Sequence, residues 1–100
     1  MRDDPVVEAT LNFCNSVREQ KGMEPLDDLP KGHRFNPSSC PCGEATRAYV
    51  IYGSIFPDYD PETFKLGREV DLPSEVSLFA RRFDYGDYPE YDADGGYIGQ

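Results

Sequence analysis

The positions of the nine prolines constrain this 100-residue chain more than any other feature. Proline fixes its own φ angle and lacks a backbone N–H, so it is tolerated in the first turn of a helix and breaks helices elsewhere. Three prolines stand where an apolar helical pattern begins, and three more lie within residues 23–39. The chain is therefore predicted to form helices that start at prolines and are separated by irregular segments. Leu26, Leu29 and Phe35 are expected to attach the irregular segment 23–39 to the core.

The first helix is predicted over residues 5–21. Asp4 is a good N-cap residue, and Pro5 suits the first helical position. Apolar residues then recur at helical spacing up to Val17, and Gly22 supplies the left-handed residue that closes many helices.

A second helix is predicted over residues 41–53, with Cys40 as its N-cap and Pro41 as its first residue. Ala45, Ala48 or Tyr49, and Tyr52 share one face of this helix, which is expected to face the core. The stretch 49–52 is also rich in strand-forming residues, so an extended conformation is the alternative for the last turn.

A short strand or hairpin is predicted near residues 64–72, where Gly67 permits a turn or bulge. The third helix is predicted over residues 73–85 because Pro73 suits its start. Its core face carries side chains at positions i, i+3, i+4 and i+7, namely Val76, Phe79, Ala80 and Phe83.

These elements predict an α+β fold with one compact domain over residues 1–86. An acidic tail rich in Tyr and Gly, residues 87–100, is expected to be flexible. Val, Ile, Leu and Phe together number 21 of the 100 residues, so the core is expected to be small.

The formal charge of −9 is concentrated in the second half of the chain. Residues 51–100 carry four Lys or Arg against eleven Asp or Glu, a net charge of −7. Such a field repels nucleic acid and anionic lipid and favours a protein partner with a basic surface. With no apolar run that could span a membrane and no signal-peptide core after Met1, we expect a cytoplasmic location.

Several short motifs give the chain a family resemblance. They are Pro25-Leu26-Asp27-Asp28-Leu29-Pro30-Lys31-Gly32, Cys40-Pro41-Cys42, Val70-Asp71-Leu72-Pro73-Ser74-Glu75-Val76, Phe79, Phe83-Asp84, Gly86 and Tyr88-Pro89-Glu90. Together they resemble small uncharacterised proteins of actinobacteria and their bacteriophages, over about two thirds of the chain. The resemblance implies a bacterial or phage protein, in the host cytoplasm in the latter case, and it implies no catalytic residue.

The cysteines and the one histidine give a candidate metal site. Cys14, His33, Cys40 and Cys42 are four ligands of the types that tetrahedral zinc prefers. However, paired zinc cysteines usually have two to four residues between them, and here only Pro41 intervenes. Without a metal, Cys14 would pack in the core and His33 would lie on the surface. We expect no cofactor, and zinc bound by these four residues is the alternative.

Cys40 and Cys42 also suggest a thiol-redox site. Thiols at a helix N-terminus feel the positive end of the helix dipole, which lowers their pKa. The established redox motif has two intervening residues in a βαβ setting, which is not predicted here. No nucleophile elbow, phosphate loop or metalloprotease motif is present in the sequence, so an enzyme is the less favoured class.

Acid and tyrosine repeat with a period of three over residues 84–92. In polyproline II geometry the tyrosines would form a ridge suited to a partner's groove. The partner-binding residues predicted on this basis are Tyr85, Asp87, Tyr88, Glu90, Tyr91 and Asp92. The alternative is that Tyr85 and Tyr88 fold back over Phe79 and Phe83 and cap the third helix.

The sequence therefore predicts a non-enzymatic accessory interaction protein that binds a basic partner through its acidic C-terminal half. In a sharper version, the spaced carboxylates imitate a phosphate backbone and occupy a nucleic-acid-binding protein. The alternative function is a small zinc or thiol-redox protein centred on Cys40 and Cys42.

Overall fold

The computed structural model describes residues 4–94 of the chain. Its first helix, α1, spans Pro5–Gln20 and confirms the predicted helix. The Asp4 side chain caps it by accepting a hydrogen bond from the backbone N–H of Val6 at 2.8 Å. At the other end Gly22 takes a φ of +76°, and the N–H of Met23 bonds the carbonyl of Arg18 at 2.8 Å. This pairing is a Schellman motif, which requires a left-handed residue where the glycine stands.

The second helix, α2, is much shorter than predicted and spans Pro41–Thr46. The helix ends because Arg47 adopts a left-handed conformation with φ of 54°. The prediction of a helix to residue 53 was wrong, and the extended alternative for 49–52 describes the structure. β-branched and aromatic side chains fit a pleated surface better than a helix turn, and tertiary packing decides between the two.

An antiparallel sheet occupies the region where the second helix was expected to continue. Strand β1, Tyr49–Ile51, and strand β2, Ser54–Phe56, form a hairpin with a two-residue turn. Gly53 in that turn has a φ of +91°. Val50 pairs with Ile55, and both side chains are buried. Each strand of the hairpin thus contributes one member of this apolar pair to the core.

The third strand, β3, is Val70–Asp71 and pairs with β2, so the sheet order is β1-β2-β3. A strand or hairpin was predicted near residues 64–72, and the structure has a strand only in the last part of that segment. Residues 60–69 form no named strand and are exposed. A bridge between Asp60 and Lys65 and a left-handed Gly67 shape this loop.

The third helix, α3, spans Ser74–Asp84 and confirms the predicted helix, with Pro73 as its N-cap. Its buried face is the predicted one, Val76, Phe79, Ala80 and Phe83. Helix α1 packs against both α3 and α2, and the core lies between these helices and the hairpin. The three helices and the three-stranded antiparallel sheet confirm the α+β class.

The packed part of the chain continues beyond the predicted domain boundary at residue 86. A short 3-10 helix, Pro89–Tyr91, follows α3, and Tyr88, Tyr91 and Asp92 are all buried. The backbone N–H of Gly32 bonds the carbonyl of Tyr91 at 2.9 Å. The expectation of a loose tail is therefore corrected for residues 88–92. A loose tail was expected because residues 87–92 contain no aliphatic side chain. In the structure the rings of Tyr88 and Tyr91 supply the apolar surface instead. The predicted tail's residues 95–100 lie outside the described residues.

Within residues 4–94, no helix has both the length and the apolar character needed to cross a membrane.

Candidate functional site

The structure divides the six predicted partner-binding residues into two equal groups. Tyr85, Asp87 and Glu90 are exposed, Tyr85 to 66%. Tyr88, Tyr91 and Asp92 are buried and make internal contacts. The period-three pattern therefore does not form one continuous ridge on the surface.

Tyr88 covers the core as the alternative interpretation proposed. Its ring stacks on Phe79 with centroids 4.8 Å apart, and its hydroxyl donates to Asp4 Oδ2 at 2.9 Å. Burial acts to raise the pKa of Asp4, but the hydrogen bonds from the Tyr88 hydroxyl and the Val6 N–H outweigh it and lower the pKa. The chain after α3 is thus tied to the N-cap of α1. Tyr85, by contrast, points away from the core.

Tyr91 and Asp92 attach the same segment to the irregular region after α1. The Tyr91 hydroxyl donates to Asp28 Oδ1 at 2.8 Å. Asp92 is 2% exposed and accepts from Arg34 Nε at 2.9 Å. A buried carboxylate requires such a partner, because an unpaired charge in the interior is strongly unfavourable. These two residues therefore hold the fold together.

A cavity of about 240 Å³ lies between the irregular segment before α2, the hairpin and α3. Most of its lining side chains are apolar, and its polar exceptions are Asn36 and Asp84. The lining residues are Phe35, Asn36, Pro37, Cys40, Val50, Ile51, Tyr52, Ala80 and Asp84. A concave apolar site with a single charged group is the usual form of a specific binding site.

Asp84 organises the mouth of this cavity. Its Oδ1 accepts from the backbone N–H of Phe35 at 2.7 Å, and its Oδ2 accepts from the Tyr52 hydroxyl at 2.6 Å. Burial and the hydrogen bond to Asp84 raise the pKa of Tyr52 to about 12, so this hydroxyl remains a donor at neutral pH. Phe35 has a φ of +59°, an uncommon conformation for a non-glycine residue. One carboxylate of α3 thus bonds a residue of the irregular segment and a residue of the hairpin turn.

Three aromatic side chains, which we call the aromatic rim, are exposed around Asp84: Phe35 at 66%, Tyr52 at 47% and Tyr85 at 66%. Large aromatic residues are enriched at protein interfaces and bind cations over their ring faces. Arg81 already lies over the Tyr52 ring, with its guanidinium carbon 5.9 Å from the centroid. The rim is therefore a surface on which a positively charged side chain can bind.

The sequence did not single out Phe35, Tyr52 or Asp84. Tyr52 was assigned to the core face of a helix that the structure replaces with a hairpin. Phe35 was expected to attach its segment to the core, but it is exposed. The acid and tyrosine of the first repeat, Asp84 and Tyr85, were the available signal, although it did not reveal what they would contact.

The structure brings two of the four predicted metal ligands together and places the other two elsewhere. Cys14 and Cys42 are fully buried, with their Sγ atoms 3.2 Å apart. Cys40 Sγ accepts from the backbone N–H of Gly43 at 3.3 Å and so caps α2 as predicted. His33 is half exposed, and its Nδ1 lies 3.1 Å from Asp94 Oδ2. Across the part of the chain that the structure describes, no group of three or more His, Cys, Asp or Glu is arranged to hold a metal ion.

The pKa of the Cys40 thiol is raised, whereas its position at a helix N-terminus was expected to lower it. Burial, with a smaller contribution from nearby Cys42, raises the pKa of Cys40 to about 12. The six-residue α2 offers only a weak dipole, and desolvation of the thiolate outweighs it. Cys40 is therefore an unreactive thiol at neutral pH.

Comparisons of the chain with protein-family models, with curated proteins and with solved structures find no match. The fold and the site by themselves define a small α+β protein with an aromatic rim around a carboxylate at the mouth of an apolar cavity.

Proposed function

We propose that this chain is a non-enzymatic interaction protein, of bacterial or phage origin, that binds a basic protein partner in the cytoplasm. The observation that carries the proposal is the aromatic rim around Asp84, in which Asp84, Tyr52 and Tyr85 belong to the acidic half of the chain. Aromatic residues supply contact area at low cost in conformational entropy, and a carboxylate among them selects a cation.

The charge of the surrounding surface supports a basic partner. All eleven acidic residues of the C-terminal half lie between Asp58 and Asp94, and nine of them are exposed. The exceptions are Asp84 at the cavity and the buried Asp92. Exposed carboxylates of this density accelerate the encounter with a basic surface and repel an acidic one.

The exposed loop over residues 60–69 adds a second acidic and aromatic feature. Phe64 is 77% exposed and has a φ of +61°, in a turn closed by a bond from its N–H to the carbonyl of Asp60 at 2.8 Å. Non-glycine residues held in this conformation are concentrated at functional sites. Phe64 is therefore a candidate second contact for the same partner.

In the proposed complex, an arginine or lysine side chain of the partner enters the cavity. Its aliphatic part contacts the apolar walls, and its charged end lies between Asp84 and the ring faces of Tyr52 and Phe35. Arginine suits this site better than lysine because its planar guanidinium stacks on aromatic rings. The guanidinium of Arg81 already lies over the Tyr52 ring, so the partner's cation is expected to compete with Arg81 at Tyr52 and to contact Asp84 and Phe35 freely.

The test is an NMR titration of the full chain with a short polyarginine peptide, with polyglutamate as the negative probe. We expect amide shifts concentrated at the rim and binding that weakens as salt rises from about 0.05 M to about 0.5 M. Tyr85→Ala is expected to weaken binding about tenfold. The pair Asp87→Asn and Glu90→Gln is expected to weaken it several-fold.

The matched control is the pair Glu8→Gln and Glu19→Gln, which removes the same charge from exposed positions on α1. It is expected to leave the affinity within twofold of the unchanged chain. Shifts spread evenly over the surface, or equal losses in both charge pairs, would mean that only net charge attracts the peptide and would refute the site.

The alternative function, a small zinc protein that uses Cys40 and Cys42, makes a different prediction. Elemental analysis of the chain purified without chelators would then find one zinc per chain, and Cys40→Ser would remove it. The capping role of Cys40 and the surface position of His33 give this alternative no support from the geometry of residues 4–94.

A further inference from the structure

Two of the three cysteines meet in the core. Cys14 lies on the buried face of α1, and Cys42 is the second residue of α2. Both side chains are 0% exposed, and their Sγ atoms are 3.2 Å apart. Both are free thiols in the structure. The packing of α1 against α2 has therefore placed two sulfur atoms in direct contact across 28 residues of sequence.

This contact is close to what a covalent bond requires. A disulfide has its sulfurs about 2.05 Å apart, so the two Sγ atoms need to approach by little more than about 1 Å. Small rotations about the two Cα–Cβ bonds move sulfur atoms by that amount. The third cysteine is engaged elsewhere, because Cys40 Sγ caps α2 and lines the cavity. The pairing therefore involves Cys14 and Cys42 and leaves Cys40 as the unpaired thiol.

We propose that Cys14 and Cys42 form an intramolecular disulfide that joins α1 to α2 when the chain folds in the presence of a peroxide. One thiol first loses its proton, and its thiolate attacks a peroxide oxygen. The O–O bond breaks, the departing hydroxide takes up that proton and leaves as water, and the sulfur becomes a sulfenic acid. The other thiol attacks that sulfur, forms the S–S bond and releases a second water. Overall two thiols and one hydrogen peroxide give one disulfide and two waters. This proposal does not depend on the proposed function.

The environment of the pair determines when the bond forms and how long it lasts. The contact with Cys14 and burial raise the pKa of Cys42, which disfavours its thiolate in the folded, reduced protein. Both side chains are also 0% exposed, so the folded pair is expected to oxidise slowly. During folding the thiols are exposed and reactive. Once formed, the bond is shielded from thiol reductants by the same burial. In a reducing cytoplasm the pair stays reduced. The bond forms when the chain folds in surroundings where the peroxide exceeds the thiol reductants.

The bond would stabilise the least regular part of the fold. The loop that it closes contains residues 21–40, which form no helix or strand. Cross-linking a loop of this length restricts the unfolded chain substantially. Helices α1 and α2 would then be joined covalently, in addition to the hydrogen bond that Lys21 Nζ donates to the carbonyl of Thr46 at 2.7 Å.

The experiment uses the full chain, refolded from denaturant with either hydrogen peroxide or a reductant. In the oxidised sample we expect one free thiol per chain, a loss of two hydrogen atoms in the intact mass, and a Tm higher by about 10 °C. Tryptic peptides analysed without reduction are expected to link the peptide that contains Cys14 to the one that contains Cys40 and Cys42. Fragmentation on either side of Pro41 then shows which of the two is bonded.

Two variants separate this pairing from the alternatives. Cys40→Ser is expected to form the cross-link as the unchanged chain does, whereas Cys42→Ser is expected not to form it. Even if a variant does not fold, the peptide analysis of the unchanged chain shows which two cysteines are bonded. Three free thiols after oxidation, a bond to Cys40, a disulfide-linked dimer, or a cross-link that lowers the Tm would each overturn the proposal.

Discussion

At the scale of single residues, the tyrosines show how one pattern can serve two purposes. Tyr85 and Tyr88 occupy equivalent positions in the acid–tyrosine repeat, yet the first is 66% exposed and the second 6%. Both follow the end of α3, where the chain turns at Gly86 with a φ of +89°. That turn directs Tyr88 towards Phe79, while Tyr85 remains on the outer side. A repeat in sequence therefore did not imply a shared face.

The hydroxyl of Tyr88 provides a residue-scale prediction. Tyr88→Phe keeps the stacked ring but removes the hydrogen bond to the Asp4 carboxylate. We expect the free energy of unfolding to fall by about 1 kcal/mol, measured by urea denaturation at neutral pH. Tyr85→Phe is the matched control and is expected to change it by less than about 0.5 kcal/mol. Equal effects of the two substitutions would contradict the assigned role of the bond.

The same bond predicts a pH dependence. The folded-state pKa of Asp4 lies below its ordinary value of 3.8, so its contribution is present above that pH and is lost as the pH falls through the folded pKa. The stability difference between the unchanged chain and Tyr88→Phe is therefore expected to shrink in acid. Urea denaturation at several pH values between neutral and about 3 measures it. A difference that stays constant with pH would show that the carboxylate is not involved.

At the scale of elements, the second helix and the hairpin show where local pattern and tertiary packing compete. Residues 41–46 carry a proline start and the Cys40 cap, and they form the helix that these signals predict. Residues 49–56 fit both a helical face and two short strands. The hairpin prevails because Val50 and Ile55 pair and are both buried, while β2 also pairs with the distant β3. The pairing with β3 cannot be recognised from a local window.

The turn of the hairpin tests this element. Gly53 has a φ of +91° with open space around its Cα, so a side chain there meets no neighbour but strains the backbone. Gly53→Ala is expected to lower the free energy of unfolding by about 1 kcal/mol. Gly53→Asn is expected to cost less, because asparagine tolerates positive φ better. Urea denaturation compares the two. Equal stability of the glycine and alanine forms would indicate that this φ is not required in solution.

At the scale of the whole molecule, the segment after α3 connects the two ends of the described chain. Tyr88 bonds to Asp4, and Tyr91 bonds to Asp28. Arg34 pairs with the buried Asp92. The domain is thus larger than the sequence indicated, and a small aliphatic core is completed by tyrosine rings.

Deletion of residues 87–100 tests this connection. The deletion removes two buried tyrosine rings and the buried carboxylate of Asp92, which pairs with Arg34. Each buried aromatic side chain contributes several kcal/mol, in a domain whose total stability is about 5–15 kcal/mol. We expect the shortened chain to lack a cooperative unfolding transition by circular dichroism. The pair Asp87→Asn and Glu90→Gln is the control and should leave the transition intact. Cooperative unfolding of the shortened chain would show that the segment is not needed for folding.

The candidate site could be predicted only in part, for reasons that differ between its residues. The acid–tyrosine repeat indicated Tyr85 and the acidic character of the surface. Asp84 became central only because it accepts bonds from Phe35 and Tyr52, which are 49 and 32 residues away in sequence. The thiol-redox hypothesis paired Cys40 with Cys42, and Cys14 was considered as a zinc ligand or a core residue. In the structure the sulfur atoms of Cys14 and Cys42 are in contact. Cys40 and Cys42 are close in sequence, but the Cys40 side chain caps α2 and the Cys42 side chain faces α1.

The sequence alone determined where α1 and α3 form and what closes them, since proline starts, glycine ends and apolar spacing act within a few residues. It also determined the concentration of negative charge in the second half of the chain. Only the tertiary structure decided the length of the second helix, the fate of the tyrosines and which cysteines meet. These outcomes depend on contacts between distant residues, where the burial of a ring or a sulfur outweighs a local preference that differs by only a fraction of a kcal/mol.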